Sequence, residues 1–326
     1  MDTFDHQDGS DRAIPVTILT GFLGAGKTTL LNRILNGEHG LRVAVMVNDF
    51  GAVNIDSSLV VGMDDQVISL SNGCICCQIN DDLVRAVTGL MERSERPEYI
   101  LIEASGIADP SSIAMTFTTP RFRSSIRLDS VTSIVDAEQV FAFPKLEQLK
   151  LRQIAFSDLL ILNKMDRVDR QGLARIKAWL GKHFRRIRII ESTYAEVPLE
   201  VLISVGRFDP AQLENDRLAQ SHDGQSRNRH HHQFATWSYE SDRPLRLAKL
   251  RRAAAALPEN IYRVKGVVHS IDAPDRRAVL QVVGRRVDVA LLQEWGEDTP
   301  RTQIVAIGAP GSLDTELLRE KFDACQ

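Results

Sequence analysis

The sequence predicts an α/β fold: a mostly parallel sheet flanked by helices, followed by a smaller C-terminal α+β domain. Three observations carry this. Short apolar runs alternate with amphipathic helical stretches up to about residue 205. There the alternation stops in a polar stretch, and a different order of elements resumes at 234. The 326 residues suffice for two domains at ~100–200 residues each.

In order, 16–20 (VTILT) is a short apolar strand running into a glycine-rich turn. Leu30, Leu31, Ile34 and Leu35 then fall at helical spacing. Residues 42–47 (RVAVMV), 99–102 (YILI), 131–135 (VTSIV), 159–162 (LLIL) and 187–190 (IRII) read as buried strands. Helices are expected over 81–93, where Leu83, Val84, Val87, Leu90 and Met91 share a face, and over 170–184. Strands alternating with such helices make βαβ units and a parallel sheet. Beyond 234 the reading is a strand at FATWSY, a helix near 244–257, strands near 261–269, 278–283 and 303–307, and a final helix near 313–324. The expected organisation is a polar tail (1–15), a first domain (16–206), a mobile His-containing linker (207–233) and a C-terminal domain (234–326).

Composition excludes several classes. Charge is nearly balanced, 40 Lys and Arg against 43 Asp and Glu, so no basic nucleic-acid footprint is built in. The basic stretch 185–188 and the trio Arg121, Arg123 and Arg127 read as a solvated face. No apolar run approaches the ~20 residues of a membrane span. The polar, acidic first fifteen residues lack a signal-peptide core, so a cytoplasmic protein with reduced thiols is expected.

The motifs carry the chemistry. Residues 21–28 (GFLGAGKT) match G-x-x-x-x-G-K-[ST] between a strand and a helix. Gly21 and Gly26 allow the tight turn that converges backbone N–H groups on phosphate oxygens. Lys27 would neutralise phosphate charge, and the Thr28 hydroxyl would ligate Mg²⁺. The first domain is therefore expected to be a P-loop NTPase. Residues 163–166 (NKMD) follow a strand, and the Asp166 carboxylate can accept two hydrogen bonds that guanine supplies and adenine cannot. The same tetrapeptide could merely cap the next helix. In YILIEASG (99–106), Glu103 ends a strand near the expected Mg²⁺, and Gly106 can offer its N–H to a γ-phosphate; the alternative for Glu103 is a helix cap. In VNDFG (47–51), Asp49 could sense Mg²⁺ or order an attacking water, or serve as a turn residue before Gly51.

Three of the four cysteines, Cys74, Cys76 and Cys77, lie in SNGCICC (71–77). This is no disulfide framework. Thiolates suit Zn²⁺ or Cu(I), other borderline metals remain open, and three ligands leave a fourth position free for a metal in transit. A helix starting near Asn80 would lower the thiol pKa values. A C-x-x-C redox pair and plain core packing are the alternatives. His230, His231 and His232 could gather Zn²⁺, Ni²⁺ or Co²⁺ loosely or be a chance run. Cys325 reads as a half-buried helix residue.

With GFLGAGKTT, VNDFG, NGCICC, EASGIADP and NKMD in this order, the chain resembles the CobW-type P-loop GTPases, relatives of zinc-regulated GTPase metalloprotein activators. The likeness spans about 15–206 and resumes over 234–326, where YRVKGVVHSI and IVAIGAPGSLD resemble that family's C-terminal domain. The resemblance implies GTP and GDP on Gly21–Thr29, with Gly24, Ala25, Gly26, Lys27, Thr28 and Thr29 lining the phosphates, and Gly106 beside them. It implies guanine on Asn163, Lys164 and Asp166, Mg²⁺ on Thr28, catalysis by Lys27, Asp49 and Glu103, and a transition metal on Cys74, Cys76 and Cys77. The function so expected is a GTP-hydrolysing metallochaperone carrying zinc, or cobalt, to a client metalloprotein, as a monomer or weak oligomer. Assistance in cobalamin assembly, an ATP-dependent P-loop kinase and a thiol redox switch are the rival expectations.

Overall fold

A computed structural model describes residues 13–37, 39–48, 67–70, 77–117, 119, 122, 125–184, 187–203, 235–296, 298–309, 311 and 313–326. The chain divides into two compact units, within Arg12–Val205 and within Gly206–Gln326.

The first unit runs β1 (Ile14–Thr20), α1 (Lys27–Leu35), β2 (Val43–Asn48), β3 (Val67–Leu70), α2 (Cys77–Glu92), β4 (Tyr99–Glu103), α3 (Pro110–Phe117), β5 (Ile126–Asp136), α4 (Glu147–Ala155), β6 (Leu159–Asn163), α5 (Arg170–His183), β7 (Ile189–Glu191) and α6 (Leu199–Leu202). Its strands form one seven-stranded sheet, ordered β3-β2-β4-β1-β5-β6-β7. Every pairing is parallel. Helices cover such a sheet on its faces, so its inner strands are buried along most of their length rather than at alternate residues. Every residue of β4 and of β6 is buried. Leu83, Val87 and Leu90 of α2 and Ile113 and Phe117 of α3 share a core with Val16, Ile18, Ile100 and Ile102. Ile154 of α4 and Ile176 and Leu180 of α5 close on Leu160 and Leu162 of β6. Each such side chain contributes ~1.5–3 kcal/mol by burial.

Register matters more than burial for the site. Leu19 stands opposite Glu103, Val47 opposite Glu103, Asn48 opposite Leu70, and Asp136 opposite Asn163. Parallel strands in this register end together, so the loops after β1 to β6 all leave one edge of the sheet. A buried polar network pins that register across the three central strands. Thr17 on β1 lies 2.7 Å from the Tyr99 hydroxyl and 3.0 Å from Ser130 Oγ, and Tyr99 donates to Asp129 Oδ2 at 2.7 Å. A one-residue slip would leave these buried groups unpaired.

The second unit runs β8 (Ala235–Ser241), α7 (Leu247–Ala255), β9 (Ile261–Val268), β10 (Arg276–Val283), β11 (Arg286–Glu294), β12 (Thr302–Gly308) and α8 (Thr315–Asp323). Its sheet, β11-β10-β9-β12-β8, is antiparallel throughout. Leu250 and Ala254 of α7 and Leu318 and Phe322 of α8 pack with Trp237, Tyr239, Val264, Leu280 and Ile304.

Several expectations need correction. Strands β3 and β11 and helices α4 and α6 escaped the sequence reading, and α2 begins at Cys77 rather than near Asn80. β11 alternates only over Arg286–Val289 and then runs Ala290, Leu291, Leu292, with Val289 alone buried, so its period is broken. α4 hides its period because Lys150 and Gln153 occupy buried positions. Cys325 is fully buried and lies just past α8, where its thiol donates to Lys321 O at 3.2 Å. Arg188 is buried rather than part of a solvated face, because it leads into β7. Arg121, Arg123, most of the expected tail, and the linker with His230, His231 and His232 lie outside the described residues.

Candidate nucleotide site

The loop after β1 turns on three glycines with positive φ: Gly21 at 137°, Gly24 at 73° and Gly26 at 107°. Gly21 is sterically required, since a Cβ there would lie 2.1 Å from the Ile134 carbonyl oxygen of β5. Gly26 is the N-cap of α1 and offers no side chain to its first amides, and no acid stands in the first turn. Asp169 and Asp314, by contrast, cap α5 and α8 by accepting from Gly172 N and Leu317 N. The α1 amides, the positive end of its dipole and the nearly buried Lys27 thus converge on the turn, which suits an anion.

The turn is held from two sides. Thr28 Oγ1 donates to Glu103 at 3.1 Å from Oε1 and 3.3 Å from Oε2, and Glu103 is buried. This geometry places Glu103 with the Thr28 hydroxyl and not at a cap of α3. The two oxygen groups form a hard donor set that fits Mg²⁺. Gly106 lies so close to the turn that a Cβ would sit 2.8 Å from Leu23 N. Its own backbone therefore packs directly against the glycine turn.

On the other side stands β6. The Asn163 side chain is buried, and both its ends bind backbone: Nδ2 donates to Ala25 O at 2.9 Å, and Oδ1 accepts from Ala195 N at 2.8 Å. It staples the glycine turn to the loop after β7. Tyr194 and Ala195 in that loop both have positive φ, 53° and 56°. Arg33 of α1 anchors the same loop, donating from Nε to Tyr194 O at 2.7 Å. Lys164 Nζ bonds Asp136 Oδ2 at 2.7 Å, while Asp136 Oδ1 accepts from Glu138 N and Gln139 N. Asp166 is half-exposed, 3.5 Å from Arg167. Gly24, Gly26, Thr29, Glu138, Gln139, Asn163, Lys164, Asp166, Arg167 and Tyr194 line a cleft of about 460 Å³. That size suits a small-molecule ligand.

Nearly all expected phosphate and base residues thus stand in one neighbourhood. Asp49, Cys74 and Cys76 lie outside the described residues, and of Cys77 only the backbone, at the start of α2, is described. Among the described residues no cluster of three metal-ligating side chains occurs. Sequence reasoning missed Arg33, Tyr194 and Ala195. The signal was STYAE (192–196), one residue past IRII (187–190), at the same sheet edge as NKMD. It also missed Lys150 and Gln153 of α4.

A glycine turn feeding an uncapped helix, beside a nucleoside-sized cleft, defines a P-loop nucleotide-binding protein. Comparison with known proteins narrows this. The family described as CobW/HypB/UreG, nucleotide-binding domain, matches residues 15–191, and the Cobalamin synthesis protein cobW C-terminal domain matches 234–326. The chain belongs to this CobW family of P-loop GTPases. It is 30% identical to a zinc chaperone CobW of Sinorhizobium sp, over 90% of this chain and 92% of the relative. It is 31% identical to zinc-regulated GTPase metalloprotein activator 1 of Dictyostelium discoideum, over 87% and 69%. It is 30% identical to the zinc chaperone YjiA of Escherichia coli, over 95% and 98%. The crystal structure of Zn(II)-bound YjiA GTPase covers 96% of this chain and 99% of its own, at 26% identity and a TM-score of 0.43. No helix among the described residues is long and apolar enough to cross a membrane.

Proposed function

We propose that the chain is a Mg²⁺-dependent GTPase that couples its nucleotide state to delivery of a transition metal, zinc first and cobalt second, to a client metalloprotein in the cytoplasm. The observation that carries the nucleotide half is the Thr28–Glu103 pair beneath the glycine turn. Mg²⁺ held there would neutralise charge developing on the β- and γ-phosphates. Lys27 supplies a fixed positive charge from within the turn. Gly106 presents backbone to the γ-phosphate, and Asp49, next in sequence after β2, orders the attacking water. Asp166 reads guanine, while Asn163 acts by holding the turn and the 192–196 loop in place. The zinc names of the relatives support the cargo.

The cargo ligands are Cys74, Cys76 and Cys77, soft donors suited to Zn²⁺ or Co²⁺. Their segment is tethered at Leu70, which pairs with Asn48 at the carboxyl edge of the sheet, and at the first turn of α2. Leu70 stands three strands from β1, on the order of 14 Å at ~4.8 Å per strand. A change at the γ-phosphate can therefore reach the thiol segment through neighbouring strand ends and bias its metal affinity. Zn²⁺ and Co²⁺ titrations with a GTP analogue and with GDP test the coupling, beside a variant with all three cysteines replaced by alanine. Different affinities in the two states, lost in the variant, are expected. Equal affinities refute the coupling, and preference for ATP over GTP refutes the base assignment.

A further inference from the structure

Helix α4 carries two buried polar side chains one turn apart, Lys150 and Gln153, where an ordinary amphipathic helix has apolar ones. Each clamps a different loop of the site. Lys150 Nζ donates to Gln139 O at 3.0 Å, Val140 O at 3.1 Å and Ala142 O, and lies 5.0 Å from the ring of Phe22 in the glycine turn. It thereby holds the 137–142 segment, whose Glu138 and Gln139 line the cleft. Gln153, only 1% exposed, donates from Nε2 to Gly106 O at 3.1 Å and to Ala108 O at 3.0 Å. A glutamine amide nitrogen has two hydrogens, and both are used on this one loop. The loop is closed from within by Ala108 N donating to Ser105 O at 3.0 Å.

Fixing a carbonyl fixes its whole planar peptide unit. Gln153 therefore sets the peptide planes that follow Gly106 and Ala108, in the segment pressed against Leu23. We propose that Gln153 is a positioning residue for nucleotide turnover, seating segment 105–108 against the glycine turn before any γ-phosphate arrives. This deepens the GTPase reading above and rests on it. A seated segment lets the γ-phosphate bind without first ordering the loop, so the cost falls on no ligand. GDP, which lacks that phosphate, gains nothing from the seating. Through Lys150 the same helix face also braces the base side, so α4 is one strut under both ends of the nucleotide.

The test is Gln153→Met, which keeps the length of the side chain and removes both donors, with Gln153→Glu, which turns an acceptor toward both carbonyls. In full-length protein, GDP affinity should stay within about twofold, while the affinity ratio of GMPPNP to GDP and kcat for GTP should each fall about tenfold or more. Gln153→Glu should fall further than Gln153→Met. Unchanged ratio and kcat in the two variants overturn the proposal. Equal losses for GDP and GMPPNP also overturn it, since they mark general damage. Amide hydrogen exchange on the unsubstituted, nucleotide-free protein supplies a measurement that needs no variant. Protection of the Ala108 amide upholds the seating, and exchange at the unstructured rate overturns it. Failure of the unsubstituted protein to hydrolyse GTP would sink the GTPase reading instead, and the exchange result separates the two.

Discussion

Replacing Asn163 by alanine removes both hydrogen bonds that join the glycine turn to the loop after β7. Ala25 O and Ala195 N, at 2.9 and 2.8 Å from the amide, would lose their partner in a buried setting. Each unpaired buried group costs ~1–3 kcal/mol, and the two share one side chain, so about 3 kcal/mol in all is reasonable. The chain avoids that cost by letting the turn or the 192–196 loop move toward water, which depopulates the binding-competent form. Apparent affinity falls with the competent fraction, so Asn163→Ala should weaken GDP on the order of a hundredfold. Fluorescent-GDP titration reads the affinity, and hydrogen exchange at the Ala195 amide reads the loop. Asn163→Asp should preserve protection at Ala195, because an acceptor remains, yet still weaken GDP, because a carboxylate then faces Ala25 O. An Asn163→Ala protein that binds GDP within about threefold and keeps Ala195 protected would refute the staple. Weak binding with Ala195 still protected would place the effect in a direct contact with the base.

Two further outcomes follow from the structure, one in each unit. Glu103→Gln keeps the shape beside Thr28 and removes the charge, so the Mg²⁺ midpoint for GTP turnover should rise about tenfold and kcat fall about a hundredfold; a Mg²⁺ titration with an unmoved midpoint counts against this. Cys325 is buried, and burial raises its thiol pKa above the ordinary 9.0, with Lys249 pulling it partly back. The folded thiol keeps its proton where the unfolded one gives it up. Its contribution to stability is therefore whole below about pH 9 and declines as pH rises through the raised value. Cys325 should resist iodoacetamide at pH 8 until urea is added, and Cys325→Ala should flatten the fall in urea midpoint between pH 8 and pH 10. Rapid labelling of Cys325 itself in the folded protein, read by peptide mass mapping, would contradict the burial.

The alternation of apolar strands with amphipathic helices made the first unit's central strands and the glycine turn legible, because both faces of a parallel sheet must be covered. The motif residues were legible because phosphate and guanine chemistry restricts them to few side-chain types. What stayed hidden has a common physical cause. Arg33, Lys150 and Gln153 act here by binding main-chain carbonyls, and any backbone offers those groups. Only the folded arrangement shows which backbone they meet. The four-residue β3 was too short to stand out, and α4 was masked by its polar buried face. The left-handed pair Tyr194 and Ala195 had no glycine to announce it.

Because Asn163 is spent on architecture at both ends of its amide, it is a poor place for base preference to drift. Any exchange there would release the glycine turn and the loop after β7 together. Asp166, half in solvent and outside the staple, carries no such second duty. Descendants of this chain that came to favour another purine would be expected to show the change at Asp166 first, with Asn163 left untouched.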